Sequence, residues 1–331
     1  MRYKMLSREE FLKDKENVLD KSYGALSGVA VGDSFGDAAR SKENQFNYGI
    51  TTDFSEGASW STDDTEFALL TAQVLVDTKG NPTSENFVEA WLKNVAGQDE
   101  FPRGGASEIE GVRNLKRGIM PPFSGQYNAY SHSDGSAMRI APVGILCAGD
   151  PKKAVKIAEI DSSLSHYRDG IWGAQAVAAG VAVAMVDGTI DEIIDAAIEV
   201  LPKDSWMHHS MTRVMEIIEE NNGDALDSWM KIHDELWTSY KAATPEAVAS
   251  AFAIIKLFGH DFKRGVIAAG NFGRDADTIG AIVGGILGAK YGAKAIPKRW
   301  LEKTRYPSGT CLAFTKGMDI KTLSKELSEL I

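Results

Sequence analysis

Cysteine is scarce: only Cys147 and Cys311 occur in the 331 residues, and no Cys/His group stands at zinc-site spacing. Neither a disulfide framework nor a structural zinc site is indicated, and a reducing cytoplasm is the expected setting. Long hydrophobic runs are also missing. The most apolar stretch, Ala174 to Val186, is shorter than the roughly 20 residues of a bilayer span and is dense in Ala and Gly. The first ten residues are charged and have no apolar core of signal-peptide length. Basic charge is in deficit, with 36 Lys and Arg against 46 Asp and Glu and a formal net charge of −10. That balance disfavours sequence-independent binding to a phosphate backbone, which depends on clustered Lys and Arg. No membrane role and no nucleic-acid partner are expected. A small anionic ligand stays open, because backbone N–H groups and metal ions act locally.

Alternating runs of β-branched residues are nearly absent, and no Gly-rich turn follows a credible strand, which disfavours a Rossmann-type enzyme. Apolar residues instead recur at helical spacing along most of the chain, so the fold is expected to be all-α. Helices are predicted over Tyr23–Val31, Thr65–Asp77, Ser84–Val95, Gly135–Cys147, Pro151–Ile160, Asp169–Met185, Asp191–Leu201, Trp206–Asn221, Pro245–Phe258 and Thr278–Tyr291. No Pro/Ser-rich or single-charge linker divides the chain, and residues 1–331 are expected to form one domain. Two glycine stripes stand out, Gly24, Gly28 and Gly32, and Gly280, Gly284 and Gly288. Each glycine costs a helix roughly 1 kcal/mol relative to Ala, so three on one face point to central helices whose backbones pack unusually close.

Both stripes border acidic clusters. Ser61-Thr62-Asp63-Asp64-Thr65-Glu66 precedes one apolar run, and Arg274-Asp275-Ala276-Asp277-Thr278 precedes another. Helix capping explains each cluster taken singly, and Asp63 and Glu66 have capping-box spacing. Taken together the clusters hold more anions than caps need. Two carboxylates and a Thr hydroxyl at each helix start make an oxygen set suited to magnesium or manganese, with two ions about 4 Å apart sharing a carboxylate. Asp33 either supports such a site or ends the first glycine-striped helix. Ser133-Asp134-Gly135-Ser136-Ala137-Met138-Arg139 opens a further helix whose free N–H groups either hold phosphate or ribose hydroxyls or serve a plain Asx-turn. Arg103-Gly104-Gly105-Ala106 is a weaker case. His166 is either a ligand contact or a structural histidine, and Tyr127, Tyr130 and Trp172 are candidates for stacking on a base.

In chain order, Gly32-Asp33, Ser61-Thr62-Asp63-Asp64-Thr65, Gly135-Ser136-Ala137-Met138-Arg139, Ser165-His166 and Asp275-Ala276-Asp277-Thr278 resemble the ADP-ribosylglycohydrolase family over about residues 20 to 295. The resemblance implies a helical domain with two magnesium or manganese ions in a central cleft. It implies Thr62, Asp63, Asp64, Asp275, Asp277 and Thr278 as metal ligands, with Asp63, Asp64 and Asp275 central to catalysis. Substrate contacts are expected from Asp134, Gly135, Ser136, Ala137, Met138 and His166. The implied reaction is hydrolysis at the anomeric carbon of a ribose, in an ADP-ribosylated protein or another ADP-ribosyl compound. The chain departs from the family at two positions. Arg40 stands where many members carry a Glu that acts on the leaving group, with Asp37 and Glu43 as nearby substitutes. Asp134-Gly135 replaces the common Asn-Gly, and the added charge would weaken pyrophosphate binding. Both departures keep a small N-riboside or nucleoside open as the substrate. A non-enzymatic, crystallin-like protein is a third reading, which the retained aspartate pairs weigh against.

Overall fold

The computed structural model describes residues 5–39, 49–54, 61–98 and 101–331. Among these residues there is no strand. One isolated antiparallel bridge joins Ser133 to Ala243. The helices in order are α1 (Arg8–Phe11), α2 (Lys15–Ala39), α3 (Asp63–Asp77), α4 (Ser84–Asn94), α5 (Ala106–Lys116), α6 (Phe123–Gln126), α7 (Gly135–Met138), α8 (Ala141–Leu146) and α9 (Pro151–Ser162). They continue with α10 (Asp169–Met185), α11 (Ile190–Glu199), α12 (Trp206–Glu220), α13 (Ala225–Glu235), α14 (Thr244–Phe258), α15 (Phe262–Phe272), α16 (Ala276–Tyr291), α17 (Lys298–Lys303) and α18 (Ile320–Ser328). Buried apolar residues from Phe11 to Leu327 form one contiguous core. None of the helices is long and apolar enough to cross a membrane.

The two glycine stripes meet each other. α2 and α16 form the most extensive helix pair of the molecule. They run antiparallel, with Gly24 against Gly288, Gly28 against Gly284, Gly32 against Gly280 and Gly36 against Ala276. A Cβ added at Gly28 would lie 2.0 Å from the Gly284 carbonyl oxygen, and one at Gly32 would lie 1.8 Å from that of Gly280. Only hydrogen fits between these backbones. The antiparallel register sets Asp33, inside α2, beside the start of α16, which carries Asp277.

Two of the predicted helices differ by more than a turn from the observed ones, and α1, α5, α6, α13, α15, α17 and α18 were not expected. α2 runs Lys15–Ala39 rather than Tyr23–Val31, and Lys21, which the expected start left outside, is buried within it. Its Nζ donates to the carbonyls of Lys290 (2.9 Å) and Ala184 (3.2 Å) and pairs with Asp187 at 2.6 Å, tying α2 to the C-terminal ends of α10 and α16. The helix expected over Gly135–Cys147 is two, α7 and α8, broken around Arg139 and Ile140. Pro142 sits in the first turn of α8, where its missing N–H and its ring are tolerated.

Candidate active site

At the start of α3 the N-cap is Thr62, whose hydroxyl accepts from the Asp64 N–H at 3.3 Å. The capping-box reading of Asp63 and Glu66 does not hold. Glu66 is turned away from the helix start and accepts from Ser61 Oγ (2.6 Å) and from the N–H groups of Thr310, Cys311 and Leu312 (2.9, 2.9 and 2.6 Å). Asp63 and Asp64 are thereby left over from capping. Asp33 reaches across from α2 to brace the turn. Its carboxylate accepts from the Thr62 N–H (2.9 Å), the Thr62 hydroxyl (2.8 Å) and the Thr65 hydroxyl. Asp33 therefore supports the site from inside a continuing helix rather than ending that helix.

The second cluster arrives by a backbone reversal. Gly273 and Arg274 both have positive φ, 82° and 57°, between α15 and α16. A non-glycine residue is uncommon in that region and needs support. Arg274 has it: its guanidinium pairs with buried Glu246, with one contact at 3.0 Å, and lies over the Trp237 ring at 5.1 Å. Asp275 precedes α16 without capping it, so the capping reading fails here too. Its Oδ1 accepts from Lys241 Nζ at 2.6 Å.

A pocket of about 190 Å³ opens between these helix starts. Asp63, Asp64, Asp134, Gly135, Met138, Asp275, Asp277 and Thr278 line it, together with Arg103, Ser107, Glu108, Ser133, Tyr240 and Lys241. Thr62, Ser136, Ala137 and His166 are not in the lining. Thr62 faces Asp33 instead, and Ser136 donates to the Gly170 carbonyl at 2.8 Å. His166 is fully buried one layer behind, with Ser165 Oγ 2.8 Å from Nδ1 and Ser133 Oγ 3.0 Å from Nε2. Ser133 donates onward to Ser107 and Ser107 to Glu108 Oε2, each at 2.7 Å. This chain closes when the imidazole is neutral with its proton on Nε2. Burial, with the Arg139 guanidinium nearby, holds its pKa well below the ordinary imidazole range. His166 thus orients the serines and Glu108 of the wall.

Asp63, Asp64 and Asp134 in the pocket, and Asp33 behind it, hold protons unusually tightly. Burial pushes Asp33 up to about 7, with the charge of Asp277 adding to the effect. Asp64 is pushed up to about 8 by burial and then by Asp33. Asp63 and Asp134 lie well above the usual carboxylate range, through burial and then through Asp64 and Asp275 respectively. Two buried oxygens, Asp64 Oδ1 and Asp134 Oδ2, have no hydrogen-bond partner. Oxygen-only donors with unpartnered buried atoms are the chemistry that hard divalent ions take. As they stand, no three His, Cys, Asp or Glu side chains among the described residues are gathered closely enough to hold an ion. The donor set fits such ions in kind, and Asp275 is engaged by Lys241.

The raised values carry a sign. Between the ordinary value of 3.8 and the raised values of about 7 and 8, the folded metal-stripped chain binds more protons than the unfolded one. Its stability therefore falls as pH rises through that window. Thermal melts in chelator are expected to give a lower Tm at pH 9 than at pH 5.5. A flat or rising profile would mean that these carboxylates are ionised in the fold.

Comparison with known proteins places this architecture. The sequence profile of ADP-ribosylglycohydrolase matches residues 14–331. The chain belongs to the ADP-ribosylglycohydrolase family. It is 32% identical over 295 residues to an uncharacterized protein of Archaeoglobus fulgidus, covering 86% of this chain and 91% of that one. It is 27% identical to the ADP-ribosylarginine hydrolase Tri1 of Pseudomonas putida, covering 88% and 76%. It is 24% identical to the ADP-ribosyl-[dinitrogen reductase] glycohydrolase of Rhodospirillum rubrum, covering 87% and 91%. A solved structure titled ADP-ribosylglycohydrolase-related protein complex shares the fold, with a TM-score of 0.68 and 22% identity over 95% of this chain and 99% of that one. As an ADP-ribosylglycohydrolase family member the chain is a glycosidic hydrolase.

Sequence reasoning missed several residues of this ADP-ribosylglycohydrolase site. Arg139, which has no signal of its own beyond the Gly135–Arg139 motif, is fully buried and organises one wall. It donates to Asp161 Oδ1 (2.7 Å), Glu108 Oε1 (3.0 Å) and the Gly135 carbonyl (2.9 Å), and stacks 5.0 Å over Trp91. Glu108, Tyr240 and Lys241 lie in segments without motif character. Of the aromatics suggested for stacking, Tyr130 packs on Tyr240 at the pocket edge. Tyr127 stacks on Phe123, and Trp172 lies under Arg168. Asp37 pairs with Arg103. Arg40 and Glu43 lie outside the described residues.

Proposed function

We propose that the chain hydrolyses the bond between the ribose anomeric carbon of an ADP-ribosyl group and an arginine side chain, with two magnesium or manganese ions. The observation that carries this reading is the carboxylate-lined pocket between two helix starts, two of whose buried oxygens lack partners. Thr62, Asp63, Asp64, Asp275, Asp277 and Thr278 would hold the ions; Thr62 sits behind the lining and would have to turn from Asp33. Bound there, the ions supply Lewis acidity that lowers the pKa of a water and orients the ribose hydroxyls. Loading the ions would take the protons off Asp63 and Asp64, whose carboxyls burial holds above the usual range without metal. Asp33 keeps the Asp63–Asp64 turn in place through Thr62 and Thr65. The acidic lining favours a leaving group that is a cation, as a guanidinium is. The name of the Pseudomonas putida relative specifies ADP-ribosylarginine, and that of the Rhodospirillum rubrum relative an ADP-ribosylated protein.

A small N-riboside is the second reading. A pocket of about 190 Å³ is smaller than the roughly 300 to 1,000 Å³ that encloses a whole drug-sized ligand, which favours a small riboside. Parallel assays of ADP-ribosyl-arginine and plain nucleosides with Mg2+ or Mn2+ separate the two. ADP-ribose release is expected to exceed nucleoside cleavage by about a hundredfold in kcat/KM, roughly 2.7 kcal/mol of transition-state preference. The reverse order would establish the riboside. No turnover of either by folded, metal-bound protein would rule out both readings.

A further inference from the structure

From the Lys241–Asp275 pair we infer that Lys241 is an exchanging counter-cation of the pocket: it neutralises Asp275 in the empty site and transfers to the substrate's diphosphate once a divalent ion is bound. This rests on the function proposed above and extends it to a residue that no motif marks. An ADP-ribosyl substrate brings two phosphate charges to a wall of carboxylates, so a positive group must stand at the mouth. Among the described lining residues Lys241 is the only lysine and Arg103 the only arginine. Arg103 is held by both oxygens of Asp37, at 2.6 and 3.2 Å. Lys241 is held differently. Its backbone is fixed, because the next carbonyl, Ala242, accepts from the Asp134 N–H at 2.9 Å and Ala243 bridges to Ser133. Arg274, Glu246 and Thr238 tie the same loop to the Asp275 segment. The lysine side chain stays half exposed while Asp275 is buried.

A fixed backbone with a long, solvated side chain can swing its ammonium without moving the loop. Its two partners compete on unequal terms. A divalent ion at Asp275 displaces the single charge of Lys241, and the released ammonium is then a few side-chain torsions from an anion at the pocket mouth. Lys241 thus opposes metal binding in the absence of substrate and favours substrate binding once metal is present, a coupling between two ligands through one side chain.

The test is calorimetric. Mn2+ is titrated into metal-stripped wild type, Lys241→Met and Lys241→Arg, and ADP-ribose is then titrated into each protein saturated with Mn2+. Lys241→Met is expected to bind Mn2+ about tenfold more tightly and ADP-ribose about tenfold more weakly, the scale of one charge-assisted hydrogen bond. Lys241→Arg is expected to recover most of the ADP-ribose affinity. Opposite shifts distinguish exchange from a damaged pocket, which would weaken both. If wild type binds both ligands and Lys241→Met does too with unchanged affinities, or weakens for both, the exchange is wrong and the proposed function stands. If wild type binds neither, both are wrong.

Discussion

Asp64→Asn is expected to abolish hydrolysis while leaving the fold as stable as the wild type or more so. Asp64 is buried, and its Oδ2 lies 2.9 Å from the Thr62 hydroxyl that also contacts Asp33. One hydroxyl proton serves only one of those carboxylates, and a protonated Asp64 makes good the other contact. Asparagine preserves the shape and the donor while removing a charge that burial and Asp33 already disfavour. It also removes a carboxylate from the proposed metal set. Loss of that electrostatic contribution, several kcal/mol, corresponds to a fall in kcat of about a thousandfold or more. The checks are kcat with saturating Mn2+ and urea unfolding in chelator. Near-normal turnover would remove Asp64 from the chemistry. A large loss of stability would make it a structural residue instead.

Gly284→Ala is expected to destabilise the protein by about 3 kcal/mol, at the upper end of overpacking, although alanine favours a helix over glycine by roughly 1 kcal/mol. Its new Cβ would stand 2.0 Å from the Gly28 carbonyl oxygen and 2.8 Å from its carbon, both backbone atoms of a buried helix. No rotamer change relieves that contact. Gly285→Ala is the control, since its Cβ would meet side chains, Val29 at 3.0 Å and Ala141 at 3.5 Å. The midpoint of urea unfolding should fall much further for Gly284→Ala than for Gly285→Ala. Equal midpoints would mean that the seam between α2 and α16 is looser than the backbone positions show.

The all-α fold and several helices were legible in the sequence. Asp169–Met185 was bounded to the residue, its apolar stretch from Ala174 interrupted only by Gln175. The glycine stripes announced close backbones, but which helix each would meet lay in their matching register. Gly32-Asp33 resembles a helix stop, and only the opposing helix shows that the aspartate continues inside one. Lys241, Glu108 and Arg139 were not legible as site residues. Their roles come from partners far along the chain, Asp275 for Lys241, Arg139 for Glu108 and Asp161 for Arg139, and no local spacing records those meetings. His166 was read toward the ligand, whereas its two serine partners place it behind the wall.

The glycine seam bears on the order of events during synthesis. Gly24 to Gly36 emerge from the ribosome early, yet their partners, Ala276 to Gly288, are among the later segments made. A half-translated chain cannot zip this seam, and contacts so distant along the chain form late in folding. Until they do, Asp33, Asp63 and Asp64 remain apart from Asp275 and Asp277, bathed in water with ordinary acidity. The nascent protein is thus spared both the repulsion and the reactivity of its own centre.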